Sequence, residues 1–500
     1  MKEARAGPEP RELATGEINR IAHPRPYATY KKSRVPTLGN VPMHWEVRRL
    51  SSCLSVIESG SRDQGDAGPQ DGIPSLGGEH IGADGQLILS NMRYISREFF
   101  SGLRKGLVRP NDILLVKDGA TIGKVALVRT LPYEECAVNE HVFILRAAPN
   151  YLPGFLYEVI RSPGTQEAIW KEVTGSAQPG LNSSFIKYVS VCLPSLPEQK
   201  AIALFLDWAD QRIRWATRAR QKRIRLLAEY NQGLVRRVVT GQFDVRNGQP
   251  YPDYKPSGVE WLGDVPKHWV VRPAKYFYRE VDDRSTTGRE DLLTVSHITG
   301  VTPRSQKTVT MFKAASYAGH KVCKPGDLIV NTMWAWMGAL GVATQQGIVS
   351  PSYGVYRPHL NSPLLGDYAD SLLRTRPYID EYVCRSTGIR SSRLRLYPDQ
   401  FLRIRVICPP SDEQRAILAY LSSHEGTSKR VFVATRNTLE LLKEFRTRLI
   451  ADVVTGKLDV RDLEGPSLVE SEASDILDPM EEGEAIGPDQ ATEGDDSDER

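Results

Sequence analysis

A chain that writes one pattern twice must fold as two related units, and this 500-residue sequence does so. Tyr30-Lys31 through Val35, Leu38-Gly39, Val41-Pro42, His44-Trp45 and Val47-Arg48 returns as Tyr254-Lys255 through Val259, Leu262-Gly263, Val265-Pro266, His268-Trp269 and Val271-Arg272. Further on, Glu198-Gln199 with Ala201-Ile202 matches Glu413-Gln414 with Ala416-Ile417. Val238-Val239-Thr240-Gly241 with Asp244-Val245-Arg246 matches Val453-Val454-Thr455-Gly456 with Asp459-Val460-Arg461. From His44 to His268 the step is 224 residues, whereas Pro110 to Pro325, Glu198 to Glu413 and Gly241 to Gly456 each step by 215. Length changes therefore fall between the His-Trp pair and the strand after Pro110 or Pro325, and loops absorb such changes better than packed elements do. The pattern is a constant scaffold carrying two variable units, and a two-fold repeat suits a target with two half-sites, such as duplex DNA.

The scaffold is helical. Ser195-Leu196-Pro197-Glu198 has the form of a capping box with an early proline, Ser411-Asp412-Glu413-Gln414 opens a second helix in the same way, and both patterns stop at Thr-Gly, where Gly241 and Gly456 can take the left-handed cap. Positions alternating by three and four run through Ile202, Leu206, Ala209, Ile213, Ala216, Arg220, Arg223, Leu227, Tyr230, Leu234 and Val238, and 215 residues later through Ile417, Leu421, His424, Ser428, Val431, Thr435, Thr438, Leu442, Phe445, Leu449 and Val453. This is a heptad-like seam, apolar at both ends and more polar in the middle, so the two helices are expected to pair, antiparallel, as a coiled coil. Arg212, Arg214, Arg218, Arg220, Lys222, Arg223 and Arg225 form a solvated face on the first helix or a contact for phosphate or a partner.

Charge is unevenly spread. Residues 464–500 hold 14 acidic side chains against one Arg, which leaves 64 basic and 47 acidic in the rest, a net +17 that attracts a polyanion. The acidic, aromatic-free tail is expected to be disordered, as a solubilising appendage or a competitor for the basic surface. No apolar stretch approaches the roughly 18 to 20 residues that span a bilayer, nor is there a secretory signal core, so a cytoplasmic protein is expected. The six cysteines, Cys53, Cys136, Cys192, Cys323, Cys384 and Cys408, form no CxxC pair, and neither zinc nor a disulfide framework is indicated. Cys192 and Cys408 sit in matching apolar runs and read as small buried residues.

Each unit ahead of its helix reads as mixed α and β. Ile113–Val116, Val125–Val128 and Val142–Leu145 are expected strands, with Asp118-Gly119 a turn; Leu152–Ile160 and Gln166–Val173 have helical spacing, and Val189–Leu193 is a last strand. The second unit repeats this with Leu328–Val330, Gly354–Arg357, a helix near Leu364–Leu373, and Arg405–Cys408.

These residues resemble the specificity (S) subunit of type I restriction-modification systems, over nearly everything from Tyr30 to Arg461. The resemblance is carried by the doubled Gly-Asn/Asp-Val-Pro-x-His-Trp, the Pro-Gly/Asn-Asp-Ile/Leu strand, Thr174-Gly175-Ser176-Ala177-Gln178-Pro179 with Leu181-Asn182, the counterpart Ser386-Thr387-Gly388-Ile389-Arg390-Ser391-Ser392-Arg393-Leu394, and the Pro-x-x-Glu-Gln-x-x-Ile helix openings. It implies an α+β protein in which two similar target recognition domains are joined by two long antiparallel helices, a coiled coil with an internal pseudo-two-fold repeat. The expected order is a flexible N-terminal arm (1–29), target recognition domain 1 (30–194), a long helix or central conserved region (195–241), a linker (242–264), target recognition domain 2 (265–410), a long helix or C-terminal conserved region (411–456) and the tail (464–500). In such systems each domain reads one half of a split DNA sequence, the first domain the 5′ half and the second the 3′ half, while the helices space the halves and dock two methyltransferase subunits. Restriction/translocase subunits complete the complex. S-adenosylmethionine, Mg²⁺ and ATP are expected on those partners, none on this chain, and half-sites on one duplex face should lie about 10 base pairs apart, centre to centre.

Sequence reading requires forked donors and amides at base edges and basic groups on phosphates. The candidates in the first unit are Arg93, Arg97, Arg104, Lys105, Lys117, Lys124, Gln178 and Asn182, the last equally a turn former. Those in the second are Asn331, Arg390, Ser391, Ser392, Arg393 and Arg395; Trp334 and Trp336 beside Asn331 read rather as core. Ile202, Leu206, Ile213, Leu227, Leu234, Ile417, Leu421, Leu442 and Leu449 are the expected seam. No methyltransferase tetrapeptide, Walker lysine loop or GxGxxG is present, Pro252-Asp253 and Pro398-Asp399 lack a following Asp/Glu-x-Lys within about 30 residues, and His44 and His268 read as packing elements, so no catalytic or metal-ligating residue is assigned. Two other readings are a recognition subunit whose partner is a fused nuclease-methyltransferase cutting on both sides of its site, and a coiled-coil adaptor that binds protein only.

Overall fold

The apolar run Ile113–Val116 is buried at every position, as a short continuous apolar segment between turn signals should be. It is the second strand of a four-stranded antiparallel sheet made of β1 (Leu54–Ser59), β2 (Ile113–Val116), β3 (Val125–Leu127) and β4 (Val142–Ala147), in the order β1-β4-β2-β3. The structure is a computed structural model and describes residues 24–63, 67–175, 179–306, 316–388 and 394–463. Helices α1 (Pro153–Arg161) and α2 (Pro163–Trp170), each with proline in its first turn, follow the sheet. The long α3 (Leu196–Val239) comes next.

The second half builds the same pieces. β5 (Tyr278–Glu280), β6 (Leu328–Val330), β7 (Leu340–Val342) and β8 (Gly354–Pro358) form an antiparallel sheet in the order β5-β8-β6-β7, followed by α4 (Gly366–Leu373), α5 (Arg376–Arg385) and the long α6 (Ser411–Val454). The alignment holds down to single hydrogen bonds. The Leu152 N–H donates to Gln199 Oε1 at 3.0 Å in one half, and the Leu365 N–H donates to Gln414 Oε1 at 2.8 Å in the other.

The chain divides into two compact units that cut across the long helices. Unit 1 holds the described residues up to Gln221 together with those from Ala434 onward, and unit 2 runs from Lys222 to Val433. In unit 1 the first half of α3 lies against the second half of α6: Ile202, Leu206, Ala209, Ile213 and Ala216 share a core with Leu442, Leu449, Ile450 and Val453. In unit 2, Leu234, Val238 and Val239 share a core with Ile417, and Leu421 is half-buried beside it. Leu227 is only half-buried.

Both helix ends behave as their sequence requires. Gly241 and Gly456 have φ of +75° and +74°, and the following Gln242 and Lys457 N–H groups reach back to the carbonyls of Arg237 and Asp452 at 2.9 and 2.8 Å, the Schellman pattern. A Cβ on Gly241 would come within 2.5 Å of Pro266, and one on Gly456 within 2.3 Å of Pro42, so each helix exit is seated on the Pro-x-His-Trp turn of its own unit.

Part of the arm expected over 1–29 is packed into unit 1, and residues 1–23 lie outside the described residues. Tyr27 is 5% exposed in the unit 1 core, and the Asp459 N–H donates to the Arg25 carbonyl at 2.6 Å, because Tyr27 finds an aromatic pocket against Trp45. The tail over 464–500 lies outside the described residues. Among them, no helix is long and apolar enough to cross a membrane.

Candidate nucleic-acid interface

Strand direction sets where the candidate residues go. In the antiparallel order β1-β4-β2-β3, the end of β1, the start of β4, the end of β2 and the start of β3 lie at one edge of the unit 1 sheet. Loops 60–63, 139–141 and 117–124 therefore emerge side by side. The segment from Arg93 to Gly106 joins them: the Ser96 N–H donates to Asp63 Oδ2 at 2.9 Å, and a Cβ on Gly106 would meet Gly60 at 2.6 Å. The loop before Leu181 is tied on by the Leu181 N–H to the Lys117 carbonyl, 2.7 Å.

Most unit 1 candidates are thus collected on one edge. Arg104 and Lys105 are exposed there. Arg93 pairs with Glu79 at 2.9 Å and Arg97 with Glu135 at 3.0 Å, so part of their charge is already answered. The Lys117 Nζ lies 5.3 Å from the centre of the Phe143 ring, and Lys124 is half-buried at the foot of the turn. Asn182 is exposed, but its Oδ1 accepts the Ser184 N–H at 3.0 Å, which makes it a cap for the short 3₁₀ turn over Ser183–Lys187. Gln178 lies outside the described residues. Three polar residues that the sequence reading passed over stand among these: Asp118 was read only as a turn, Glu140 and His141 not at all. The His141 Nδ1 hydrogen-bonds Asp118 Oδ1, and its Nε2 lies 3.3 Å from Glu140 Oε1. No local pattern announces a pair 23 positions apart.

Unit 2 presents the same edge with different chemistry. The Leu396 N–H donates to the Thr332 carbonyl at 2.9 Å, the counterpart of the Leu181–Lys117 bond at the constant step of 215. At the turn, Trp334 and Trp336 stack with ring centres 6.0 Å apart and planes 16° apart, half-buried, so they are neither core nor free. Asn331 must be removed from the candidates: it is 5% exposed, its amide donates to Tyr353 Oη at 3.0 Å, and its Oδ1 accepts the Met333 N–H at 3.2 Å. Burial with both ends bonded leaves it nothing to offer a base. Arg395 is half-buried, its backbone paired in both directions with Thr387. Arg390, Ser391, Ser392 and Arg393 lie outside the described residues.

In each unit the repeated His-Trp pair does more than pack. In unit 1 the His44 Nε2 lies 2.9 Å from Glu198 Oε1, the Trp45 indole N–H and the Tyr27 hydroxyl donate to the same oxygen at 3.3 and 3.4 Å, and the Ser195 hydroxyl donates to Oε2 at 3.0 Å. Unit 2 repeats this around Glu413 with His268 at 2.8 Å, Trp269 at 2.9 Å, Tyr251 at 3.1 Å and Arg246 at 3.2 Å. Burial works to raise the Glu198 carboxyl, but hydrogen bonds from His44, Trp45 and Ser195 outweigh it and hold the group below the ordinary range. The tyrosines were legible: Pro26-Tyr27-x-x-Tyr30 returns as Pro250-Tyr251-x-x-Tyr254.

Unit 1 also buries an ionic network with no equal among the described residues of unit 2. Asp210 on α3 takes Arg446 from α6 at 2.5 Å, Arg161 from α1 at 3.4 Å and a close contact from Arg214, while Arg446 donates to the Asp84 carbonyl at 2.7 Å. Burial favours a neutral Asp210, but these three arginines hold its carboxyl low. Glu158 pairs with Arg161, shared with Asp210, at 2.6 Å; burial dominates over Arg161 and the more distant Arg446 and pushes its carboxyl up to about 7. In unit 2 the Leu365–Gln414 bond aligns Ser371 and Arg374 with Glu158 and Arg161, and the repeat puts Glu425 and Asn231 where unit 1 has Asp210 and Arg446.

Among the described residues, no group of three or more His, Cys, Asp and Glu is arranged to hold a metal ion. All six cysteines are free thiols, and Cys384 is the exposed one.

Residues 42–225 match a family model described as the type I restriction modification DNA specificity domain. The chain is 27% identical over 248 residues to a type I restriction enzyme MjaX specificity subunit of Methanocaldococcus jannaschii, covering 48% of this chain and 54% of that one. It is 34% identical over 122 residues to the EcoBI specificity subunit of Escherichia coli, covering 24% and 25%. The chain thus spans about half the length, or less, of the curated relatives it matches. A solved chain from work on complex assembly and conformational transition of the type I R-M system has the same fold, with a TM-score of 0.61 at 16% identity over 84% of this chain and 99% of that one.

Proposed function

From the match of residues 42–225 to the model of the type I restriction modification DNA specificity domain, we propose that the protein is the DNA-recognition subunit of such a system and that each unit reads one half of a bipartite target. The observation that carries this is the reading edge built twice on one plan, fastened by the Leu181–Lys117 bond in unit 1 and the Leu396–Thr332 bond in unit 2, with different side chains on each. A conserved frame under divergent loops is what two readers of different sequences need. The long helices act as an antiparallel coiled coil that spaces the half-sites and docks two methyltransferase subunits. Within unit 1 Asp210 faces Arg446, and within unit 2 the Ser428 hydroxyl donates to Asn231 at 2.8 Å, both consistent with opposite helix directions.

The chain itself performs no chemistry in this reading. S-adenosylmethionine, Mg²⁺ and ATP serve the methyltransferase and restriction/translocase partners, and this subunit supplies the address. Basic groups such as Arg104 and Lys105 hold phosphates, while polar groups on the loop tips meet base edges.

Methylome sequencing of a host that expresses the chain with its methyltransferase partner tests the proposal. The expected result is a methylated motif in two parts separated by unspecified bases. One short continuous motif, or turnover of a substrate by the purified chain alone, overturns it.

A further inference from the structure

We propose that Asp118 is a specificity-determining residue of unit 1, accepting a hydrogen bond from the exocyclic amino group of an adenine or a cytosine, and that His141 positions it. This rests on the DNA-recognition reading above. Asp118 stands on the β2–β3 turn, at the reading edge, held from two sides. The Lys117 N–H donates to the His141 carbonyl at 2.9 Å, and the Asn139 Oδ1 accepts the His141 N–H at 3.0 Å, so the two loops are locked together under the side chains. The imidazole has both nitrogens turned to carboxylates, Nδ1 to Asp118 and Nε2 to Glu140. It has no ring nitrogen left for a base, which makes it a positioning residue. Asp118 engages His141 through Oδ1 alone, and its Oδ2 has no hydrogen-bond partner among the described residues.

Electrostatics say what that oxygen meets. The edge also carries cations: Lys117, Arg104 and Lys105, with Arg62 at 3.8 Å from Glu140. Such groups draw in the phosphate backbone, and a carboxylate among them is repelled by phosphate. In the major groove, the donors that duplex DNA offers a carboxylate are the amino groups of adenine and cytosine. A reader of this kind discriminates by what it cannot accept, since the carbonyl edges of guanine and thymine leave it facing a second acceptor. Unit 2 carries Met333 and Ser352 at the places of Asp118 and His141, with the Thr332 hydroxyl donating to the Ser352 carbonyl at 2.8 Å, so its half-site is read by other chemistry and serves as an internal control.

A turn-forming role is the competing account, and Asp118→Asn separates the two, because Asn-Gly serves a hairpin turn as well as Asp-Gly does. The full-length chain and its methyltransferase partner are expressed in a host lacking the restriction subunit, and the methylome of D118N is compared with that of the unaltered chain. The expected result is relaxation of a single position, in one half of the bipartite motif, with discrimination there falling about 10- to 100-fold and the other half unchanged. His141→Ala should relax the same position, and His141→Gln should restore it in part. An unchanged motif in D118N overturns the proposal and leaves Asp118 a turn residue. Equal weakening at every position overturns it too, since that marks loss of general binding. If the unaltered chain yields no bipartite motif, the recognition reading fails first, whatever D118N does.

Discussion

At the scale of single residues, Glu158 has the clearest consequence. Its carboxyl stands at about 7 in the folded chain against an ordinary 4.5, because burial outweighs the one arginine it shares. The folded state therefore keeps a proton that the unfolded chain releases, so this contribution is full below about pH 4.5 and is lost as pH rises through 7. Glu158→Gln should flatten that slope: the melting temperature of unit 1 should fall less between pH 5 and pH 8 than in the unaltered chain, a difference on the order of 3 kcal/mol at most. Gly241→Ala and Gly456→Ala should each cost about 2 kcal/mol or more, from the left-handed backbone and the overlap with Pro266 or Pro42, read as a lower urea midpoint. The residue scale was only partly legible in the sequence. His44 and Trp45 were recognisable as a fixed pair, but their shared acceptor, Glu198, lies over 150 positions away, and only the fold brings it to them. Asn331 misled because an amide in a turn looks available until its burial is known.

At the scale of elements, local chemistry decided what could be foreseen. The long helices run over Leu196–Val239 and Ser411–Val454, between capping signals that the sequence carries within a few residues of each end. Strand β1 escaped notice because it is half-buried almost throughout, without strong alternation, and its partner β4 comes some 90 residues later. Helix α5 was missed for another reason: Tyr378 and Tyr382 supply its buried face, and tyrosine is no strong helix former. The seam divides by burial, and so should its mutants. Ile213→Ala or Leu449→Ala, both buried, should cost about 2–5 kcal/mol, whereas Leu227→Ala, half-exposed, should cost roughly 1 kcal/mol, as measured by urea unfolding.

At the scale of the whole molecule, the doubling was written plainly in the sequence, and the surroundings of the loop tips were not, since only tertiary structure supplies their neighbours. Arg104 and Lys105 belong to this scale because, in the proposed reading, they hold phosphates, which every duplex carries alike. Replacing both with alanine should lower affinity for any duplex and reduce the slope of log affinity against log salt by about 1 to 2, in the assembled complex, while the methylated motif stays the same. Of the buried charges Asp210, Arg161, Arg446 and Glu158 in unit 1, Glu158 is the one that a rise through pH 7 deprotonates, so the network ties the stability of its unit to pH through that side chain. If unit 1 reads one half of a bipartite target, as proposed, then a rise in pH through 7 should slacken its hold on that half by loosening the fold that carries the loops, while leaving the loops' own chemistry untouched.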